Sequence, residues 1–157
     1  MPPSETVAPC GICATLARIR RRESADLVAE LPRSFLILGD QQFYRGYCIL
    51  LAKRHVSELF LMPHGEAHEL FDELLATARA INRVVAPLKL NYECLGNLEP
   101  HVHWHVLPRF ASDPRCREPV WVRPEAERRV GLADGDRREL IEKVRAELGR
   151  VLPSAHW

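Results

Sequence analysis

Apolar residues recur at helical spacing in two parts of the chain. From residue 65 to residue 86 they return every three or four positions, which is the period of an amphipathic helix, and Pro87 follows as a terminator. A second stripe of this kind predicts a C-terminal helix from about residue 136 to residue 152. The segment CGICATLARIRRR, which starts at Cys10, reads as a short helix or turn.

Four other segments have the pattern of β-strands. Two compact apolar runs, at 34–40 and 46–55, predict adjacent antiparallel strands. A third strand is predicted at 88–97, and a fourth at 101–110 follows after so short a link that an antiparallel hairpin is favoured. Residues 111–135 are rich in proline and charge and predict a surface loop, with a short extended piece at 120–122. This order of elements predicts an α+β domain with a mainly antiparallel sheet, one long central helix and a C-terminal helix.

Length and charge narrow the functional classes. The 157 residues suit one ordinary domain, and the 22 Lys and Arg against 21 Asp and Glu argue against a nucleic-acid partner held by bulk charge. The five cysteines are odd in number and follow no apolar leader, which favours a reducing, cytoplasmic setting over a secreted disulfide framework. No apolar run approaches the roughly 18 residues that a bilayer span needs, so no membrane association by insertion is expected.

One short run carries the most distinctive chemistry. In HVHWHVL, His101, His103 and His105 occupy every second position, so on a strand they share one face while Val102, Trp104 and Val106 share the other. Neighbouring imidazoles would then stand about 6.5–7 Å apart. Imidazole binds metals, acts as a nucleophile and moves protons near neutral pH, so the row predicts a functional site rather than a solvated sheet face.

At these residues the chain resembles the histidine triad (HIT) family, whose motif is His-φ-His-φ-His-φ-φ with φ apolar. The motif fits at every position, and the similarity extends to AKRHVSEL and to LGNLEPHVHWHVLPR. Residues 1–9 hold three prolines and no periodicity, which predicts a disordered arm. The resemblance implies a HIT-like fold with residues 10–110 as the domain core and 111–157 as a loop and helix packed on the same domain. It also implies a homodimer.

The resemblance assigns roles to two of the three histidines. The middle histidine of the motif is the family's nucleophile, which corresponds to His103, and the third, His105, assists at the leaving group and the bound phosphate. Hydrolytic branches carry His at the third position, where nucleotidyl-transferring branches commonly carry Gln. His105 therefore favours hydrolysis.

CGIC, with Cys10 and Cys13, is a C-x-x-C without a second such pair. By itself it fits a redox dithiol, half of a zinc site or coincidence. Zinc-containing HIT proteins supply two further ligands, from the histidine of the Lys-Arg-His segment and from the first histidine of the triad, which correspond here to His55 and His101. The resemblance thus implies a structural zinc with Cys10, Cys13, His55 and His101 as ligands.

Three residues are candidates for binding substrate. Asp40 lies where HIT proteins place an acidic residue that holds the ribose hydroxyls, although it also suits a plain turn. Asn97 lies where the family often directs an amide at the phosphate, and Arg109 follows the triad in a Pro-Arg pair, with a turn residue and a solvated strand end as the respective alternatives. Where some branches have a further active-site histidine, this chain has Tyr47.

Together these features predict a zinc-stabilised nucleotide hydrolase. It would cleave dinucleoside polyphosphates or AMP-X compounds such as phosphoramidates through a nucleotidyl-histidine intermediate. The alternatives are a nucleotide phosphorylase or nucleotidyltransferase, and a non-catalytic regulatory protein that only binds nucleotides.

Overall fold

The computed structural model describes residues 10–152 and has an α+β fold built on one five-stranded antiparallel sheet. Its strands are β1 (Leu27–Glu30), β2 (Ser34–Leu38), β3 (Cys48–Ala52), β4 (Lys89–Glu93) and β5 (His103–Arg109). They lie in the order β1-β2-β3-β5-β4, and every neighbouring pair is antiparallel. The predicted pairing of the two apolar runs and the predicted hairpin before the histidines are both confirmed.

The helices are α1 (Gly11–Arg20), α2 (His64–Val85), α3 (Glu125–Arg128) and α4 (Asp134–Val151). The long helix α2 matches the predicted 65–86 to within a residue at each end, since Ala86 takes a left-handed conformation just before Pro87. Helix α4 begins two residues earlier than expected. Residues 120–122 form a turn of 3₁₀-helix rather than the predicted extended piece.

The two faces of the sheet are covered differently. One face packs under α2 and α4, and its core includes Leu50, Trp104 and Val106. The other face packs under α1 through Phe35 and Leu51, and under Val120 through a smaller cluster that includes two tyrosines and a leucine, namely Tyr44, Tyr47 and Leu107. His103 pairs with Leu51 and His105 with Ile49 across β3 and β5, so the histidines lie on this second face.

Two further predictions concern the ends of the chain and the possibility of a membrane-spanning helix. The expected arm at 1–9 falls outside the described residues, as do His156 and Trp157. No helix within residues 10–152 has both the length and the apolarity that a bilayer crossing requires.

Candidate active site and metal centre

Four side chains from separate parts of the chain converge at the start of α1. Cys10 caps this helix, and its sulfur accepts a hydrogen bond from the Cys13 amide at 3.4 Å. His55 comes from the segment after β3, and His101 comes from the segment before β5. The ligand atoms of all four side chains lie within 4.8 Å of one another. The structure thus brings the four predicted metal ligands together.

The distances in this cluster fit a tetrahedral ion. Zinc–sulfur bonds of about 2.3 Å and zinc–nitrogen bonds of about 2.0 Å place sulfur and nitrogen about 3.6 Å apart, and two nitrogens about 3.3 Å apart. His101 Nδ1 lies 3.5 Å from Cys10 Sγ and 3.6 Å from Cys13 Sγ. His55 Nδ1 lies 3.3 Å from Cys13 Sγ and 3.1 Å from His101 Nδ1. Two thiolates and two imidazoles are also the donors of closed structural zinc sites.

Neighbouring groups orient the cluster. The Nε2–H of His101 donates to the Ala52 carbonyl at 2.8 Å, which leaves Nδ1 as the ligand atom. His101 is fully buried. The Glu99 carboxylate accepts from the Gly11 amide at 2.9 Å and so joins the loop before the triad to the start of α1. A Cβ on Gly11 would approach this carboxylate to 2.5 Å, so a larger residue there would push the Glu99 side chain away from the amide.

The remaining two histidines form a series of contacts beside these four predicted ligands. His103 Nδ1 donates to the His101 carbonyl at 2.6 Å. Its other nitrogen, Nε2, lies 3.1 Å from His105 Nε2, and His105 Nδ1 lies 2.7 Å from the Tyr47 hydroxyl. The imidazole at position 103 is 8% exposed and reaches a cavity rather than the apolar interior.

Burial determines the protonation states of His105 and Tyr47. Burial, together with the neighbouring His103, lowers the pKa of His105 to about 4. Burial also raises the pKa of Tyr47 well above its ordinary value, so the phenol stays protonated. Near neutral pH both His105 and Tyr47 are therefore uncharged, and each has one hydrogen to donate.

The cavity next to the histidines has a volume of about 420 Å³. Its lining includes His103, His105 and eight other residues, namely Gln41, Tyr47, Leu95, Gly96, Asn97, Leu98, Glu99 and Trp121. Trp121 lies with its ring 5.4 Å from that of His105, and the Arg128 guanidinium stacks 4.6 Å from the same indole. The site thus combines a paired imidazole centre with a largely apolar wall.

The structure places the three predicted substrate-binding residues in different surroundings. Asn97 lines the cavity, as a phosphate-binding residue should. Asp40 does not line it, because its carboxylate is exposed and pairs with Arg129 at 2.6 Å. The next residue, Gln41, occupies the cavity wall instead.

Arg109 also lies away from the cavity. Its guanidinium is buried and donates to the carbonyls of Glu118 at 2.7 Å and Arg115 at 2.8 Å, and to Asn91 at 2.9 Å. It lies over the Tyr44 ring as well, 5.3 Å from its centroid. Because its N–H groups bind the 111–122 segment, this position is that of a residue that holds a loop on the sheet, not of a substrate ligand.

Sequence reasoning assigned no site role to Trp121, Gln41 or Glu99. Trp121 lies in a proline-rich, charged segment without periodicity, and only the fold brings it against His105. Tyr47, which stands where some branches have a further histidine, is the partner of His105.

Comparison with known proteins identifies the class. The model of the HIT domain family matches residues 20–112, which is more than half of the chain. The chain therefore belongs to the HIT family, and its fold is the predicted HIT-like fold. No curated protein sequence matches it.

Solved HIT structures share this fold at low sequence identity. A histidine triad protein of Sinorhizobium meliloti superposes with a TM-score of 0.71 at 21% identity, covering 83% of this chain and 93% of that one. A hypothetical histidine triad nucleotide-binding protein of Sulfolobus tokodaii has a TM-score of 0.69 at 18% identity, covering 90% and 93%. A zinc-bound family protein of Mycobacterium smegmatis has a TM-score of 0.62 at 21% identity, covering 90% and 94%.

Proposed function

We propose that this protein is a nucleotide hydrolase that cleaves phosphoanhydride or phosphoramidate bonds through a nucleotidyl-His103 intermediate. The observation that carries the proposal is the hydrogen bond from His103 Nδ1 to the His101 carbonyl at 2.6 Å. Because a carbonyl only accepts, the proton of neutral His103 is on Nδ1, and the lone pair is on Nε2 at the cavity. A positioned imidazole lone pair is a competent nucleophile for phosphorus.

The reaction divides into two steps that return the site to its initial state. His103 Nε2 forms a bond to the α-phosphorus as the bond from phosphorus to the leaving oxygen or nitrogen breaks. His105 Nε2–H donates a hydrogen bond to the leaving atom, which takes up its proton from a solvent water. Water then attacks the same phosphorus and releases a proton to solvent, which balances the proton taken up by the leaving atom, and the bond between phosphorus and His103 breaks. The products are the nucleoside monophosphate and the protonated leaving group.

The charge of the cavity favours one class of substrate. Of the residues that line it, Glu99 is the only Asp, Glu, Lys or Arg, and its carboxylate is negative at neutral pH. A polyphosphate chain would bring several negative charges close to Glu99 and would meet no lysine or arginine among these lining residues. A single phosphate with a neutral or amine leaving group brings fewer negative charges, so its repulsion from Glu99 is weaker. We therefore favour nucleoside phosphoramidates over dinucleoside polyphosphates.

The decisive experiment is AMP release by purified protein from adenosine phosphoramidate and from diadenosine polyphosphates. His103→Ala is expected to abolish release and trapping of the nucleotidyl-protein, while His64→Ala, an exposed histidine outside the cavity, serves as the matched control. Release of ADP on addition of phosphate would instead identify a phosphorylase. Nucleotide binding without turnover by the wild type would identify the regulatory alternative.

Glu99→Gln tests the preference for leaving groups. The amide keeps an acceptor for the Gly11 amide and removes the charge. We expect KM for diadenosine tetraphosphate to fall about 3- to 5-fold, the equivalent of about 0.6–1 kcal/mol for one charge at partly screened distance. KM for adenosine phosphoramidate, which carries one negative charge instead of several, should fall less than 2-fold. A uniform change for both substrates would contradict the electrostatic argument.

We also propose that the Cys10, Cys13, His55 and His101 cluster holds a structural Zn²⁺. The support is the donor set, the tetrahedral spacing and the zinc-bound relative from Mycobacterium smegmatis. All four positions are filled by protein atoms, so the metal would stabilise the fold and leave the chemistry to His103 and His105. Metal analysis of the purified protein should find one zinc per chain.

A homodimer is proposed from the exposed edge of the sheet. Strand β4 is an edge strand, and two apolar side chains beside it, Leu75 of α2 and Tyr92 of β4, line one groove and are each more than two-fifths exposed. Pairing with the β4 of a second copy would satisfy the free backbone groups of this edge. Leu75→Asp should give a monomer in light scattering, whereas Leu98→Asp, at an exposed apolar residue elsewhere, should leave the dimer intact.

A further inference from the structure

The position of Tyr47 is fixed by its surroundings. The side chain is 2% exposed and packs with Leu107 and Val120. Its backbone carbonyl accepts from the Gly39 amide and from the Gln42 side chain, each at 2.9 Å. The tyrosine is therefore held rigidly, with its hydroxyl 2.7 Å from His105 Nδ1.

Gly39 makes this placement possible. A Cβ at residue 39 would overlap the ring of Tyr47, so any other residue would displace the tyrosine. Gly39 does not have a positive φ, and space alone accounts for the absence of a side chain. The pair of Gly39 and Tyr47 thus forms a unit that delivers one hydroxyl to His105.

The contacts determine which nitrogen of each histidine carries the proton. His103 Nδ1 donates to a carbonyl, so its Nε2 is an acceptor. His105 Nε2, at 3.1 Å, must then be the donor of that pair, and its Nδ1 must be the acceptor. The Tyr47 hydroxyl supplies the matching hydrogen at 2.7 Å. In the other tautomer of His105, two lone pairs would face each other between the rings.

We propose that Tyr47 is a positioning residue: its hydroxyl fixes His105 as the Nε2–H tautomer, so that the proton stands on the nitrogen that faces His103 and the reacting phosphorus. The catalytic consequence rests on the function proposed above, in which that N–H donates a hydrogen bond to the leaving atom. The tyrosine holds its own proton throughout, because burial raises its pKa and makes it a poor acid.

Nitrogen NMR of the histidine rings tests the tautomer without any substrate. In the wild type, Nε2 of His105 should be protonated and Nδ1 should not. Tyr47→Phe keeps the ring beside Gly39 and removes only the hydroxyl, and it should shift His105 to a mixture of both tautomers. Tyr44→Phe is the matched control, since this buried neighbour contacts Arg109 and not a histidine.

The kinetic test uses the same variants. Tyr47→Phe should lower kcat by about 10- to 100-fold, because the N–H that stabilises the leaving atom is no longer held in place. KM should change less than 3-fold, and Tyr44→Phe should change neither constant by more than that. A merely structural role for the hydroxyl would lower thermal stability without changing the tautomer or kcat.

Gly39→Ala provides a second, independent route to the same defect. It leaves the hydroxyl in the protein but displaces the ring, so it should cause the same tautomer mixture and a similar loss of kcat. Its effect should not add to that of Tyr47→Phe, because both changes remove one interaction. An unchanged tautomer or an unchanged kcat in a folded Tyr47→Phe protein would overturn the proposal. If the wild type hydrolyses no nucleotide, the proposed function fails, while the NMR result still decides the role of Tyr47.

Discussion

The carbonyl oxygen of His101 and the Nδ1–H of His103 are joined by a hydrogen bond of 2.6 Å. His101 thus contributes its side chain to the cluster of four predicted metal ligands, and its backbone carbonyl orients the imidazole of His103. The orientation of His103 therefore depends on the same short segment whose side chain meets the cysteines and His55.

This link predicts that metal removal affects stability and turnover together. A chelator should lower the free energy of unfolding by about 4 kcal/mol when the free zinc it removes was at 1,000 times Kd. Cys13→Ser should have the same effect, and kcat should fall in parallel because His101 loses its anchor. Cys94→Ser, at an exposed cysteine outside the cluster, is the control. Full activity in a metal-free, folded Cys13→Ser protein would contradict the link.

The low pKa of His105 predicts a pH dependence of stability. Its folded-state pKa is about 4 against an ordinary 6.5, so between these values the unfolded chain binds more protons and acid favours unfolding. The contribution of His105 is fully present above pH 6.5 and is lost as pH falls toward 4. From pH 7 to pH 5 the loss should be about 2 kcal/mol. Denaturant titrations of the wild type and of His105→Gln at both pH values measure this loss. An equal loss of unfolding free energy from pH 7 to pH 5 in the two proteins would disprove the prediction.

Trp121 is expected to determine how tightly substrates bind. Its indole forms the wall beside His105, is supported by Arg128, and donates its N–H to Glu93. Trp121→Ala should raise KM about 10-fold, which corresponds to about 1.4 kcal/mol of aromatic contact. Trp121→Phe keeps an aromatic surface and should raise KM less than 3-fold. Equal KM values in all three proteins would show that substrates do not contact this wall.

Arg109 is expected to act on stability rather than on binding. Arg109→Met would remove the charged hydrogen bonds to the part-buried carbonyls of Arg115 and Glu118 and should cost about 3 kcal/mol in the free energy of unfolding. Asn91→Ala, which removes a single partner of the same guanidinium, should cost about 1 kcal/mol. A large rise in KM with unchanged stability would restore the substrate-binding role that the sequence suggested.

The sequence could predict the parts of this molecule that local patterns encode. The stripe of α2, the apolar runs of β2 and β3, and the alternation of β5 each follow from the spacing of a few neighbouring residues. The metal-type cluster was also predictable, because the family resemblance linked His55 and His101 to the cysteine pair. Strand β1 was missed, since four residues interrupted by a register shift are too short for a clear period.

The residues that line the cavity were harder to predict from the sequence, because their positions depend on packing between distant segments. Asp40 and Gln41 are adjacent in sequence, yet one pairs with Arg129 at the surface and the other lines the cavity. Nothing in the spacing distinguishes the two. Arg109 follows the triad closely, but the strand directs it under the loop that carries Trp121 rather than toward the histidines.

The pairing of β3 with β5 also affects the order of events in folding. His105 finds its hydroxyl partner 58 positions back along the chain, and His101 finds its carbonyl partner 49 positions back. Such distant segments meet only after a large loop has closed, which is among the slower events of folding. During refolding from denaturant, the proposed nucleotide hydrolase activity should therefore return only when the sheet is complete. The circular dichroism signal of the helices should recover earlier.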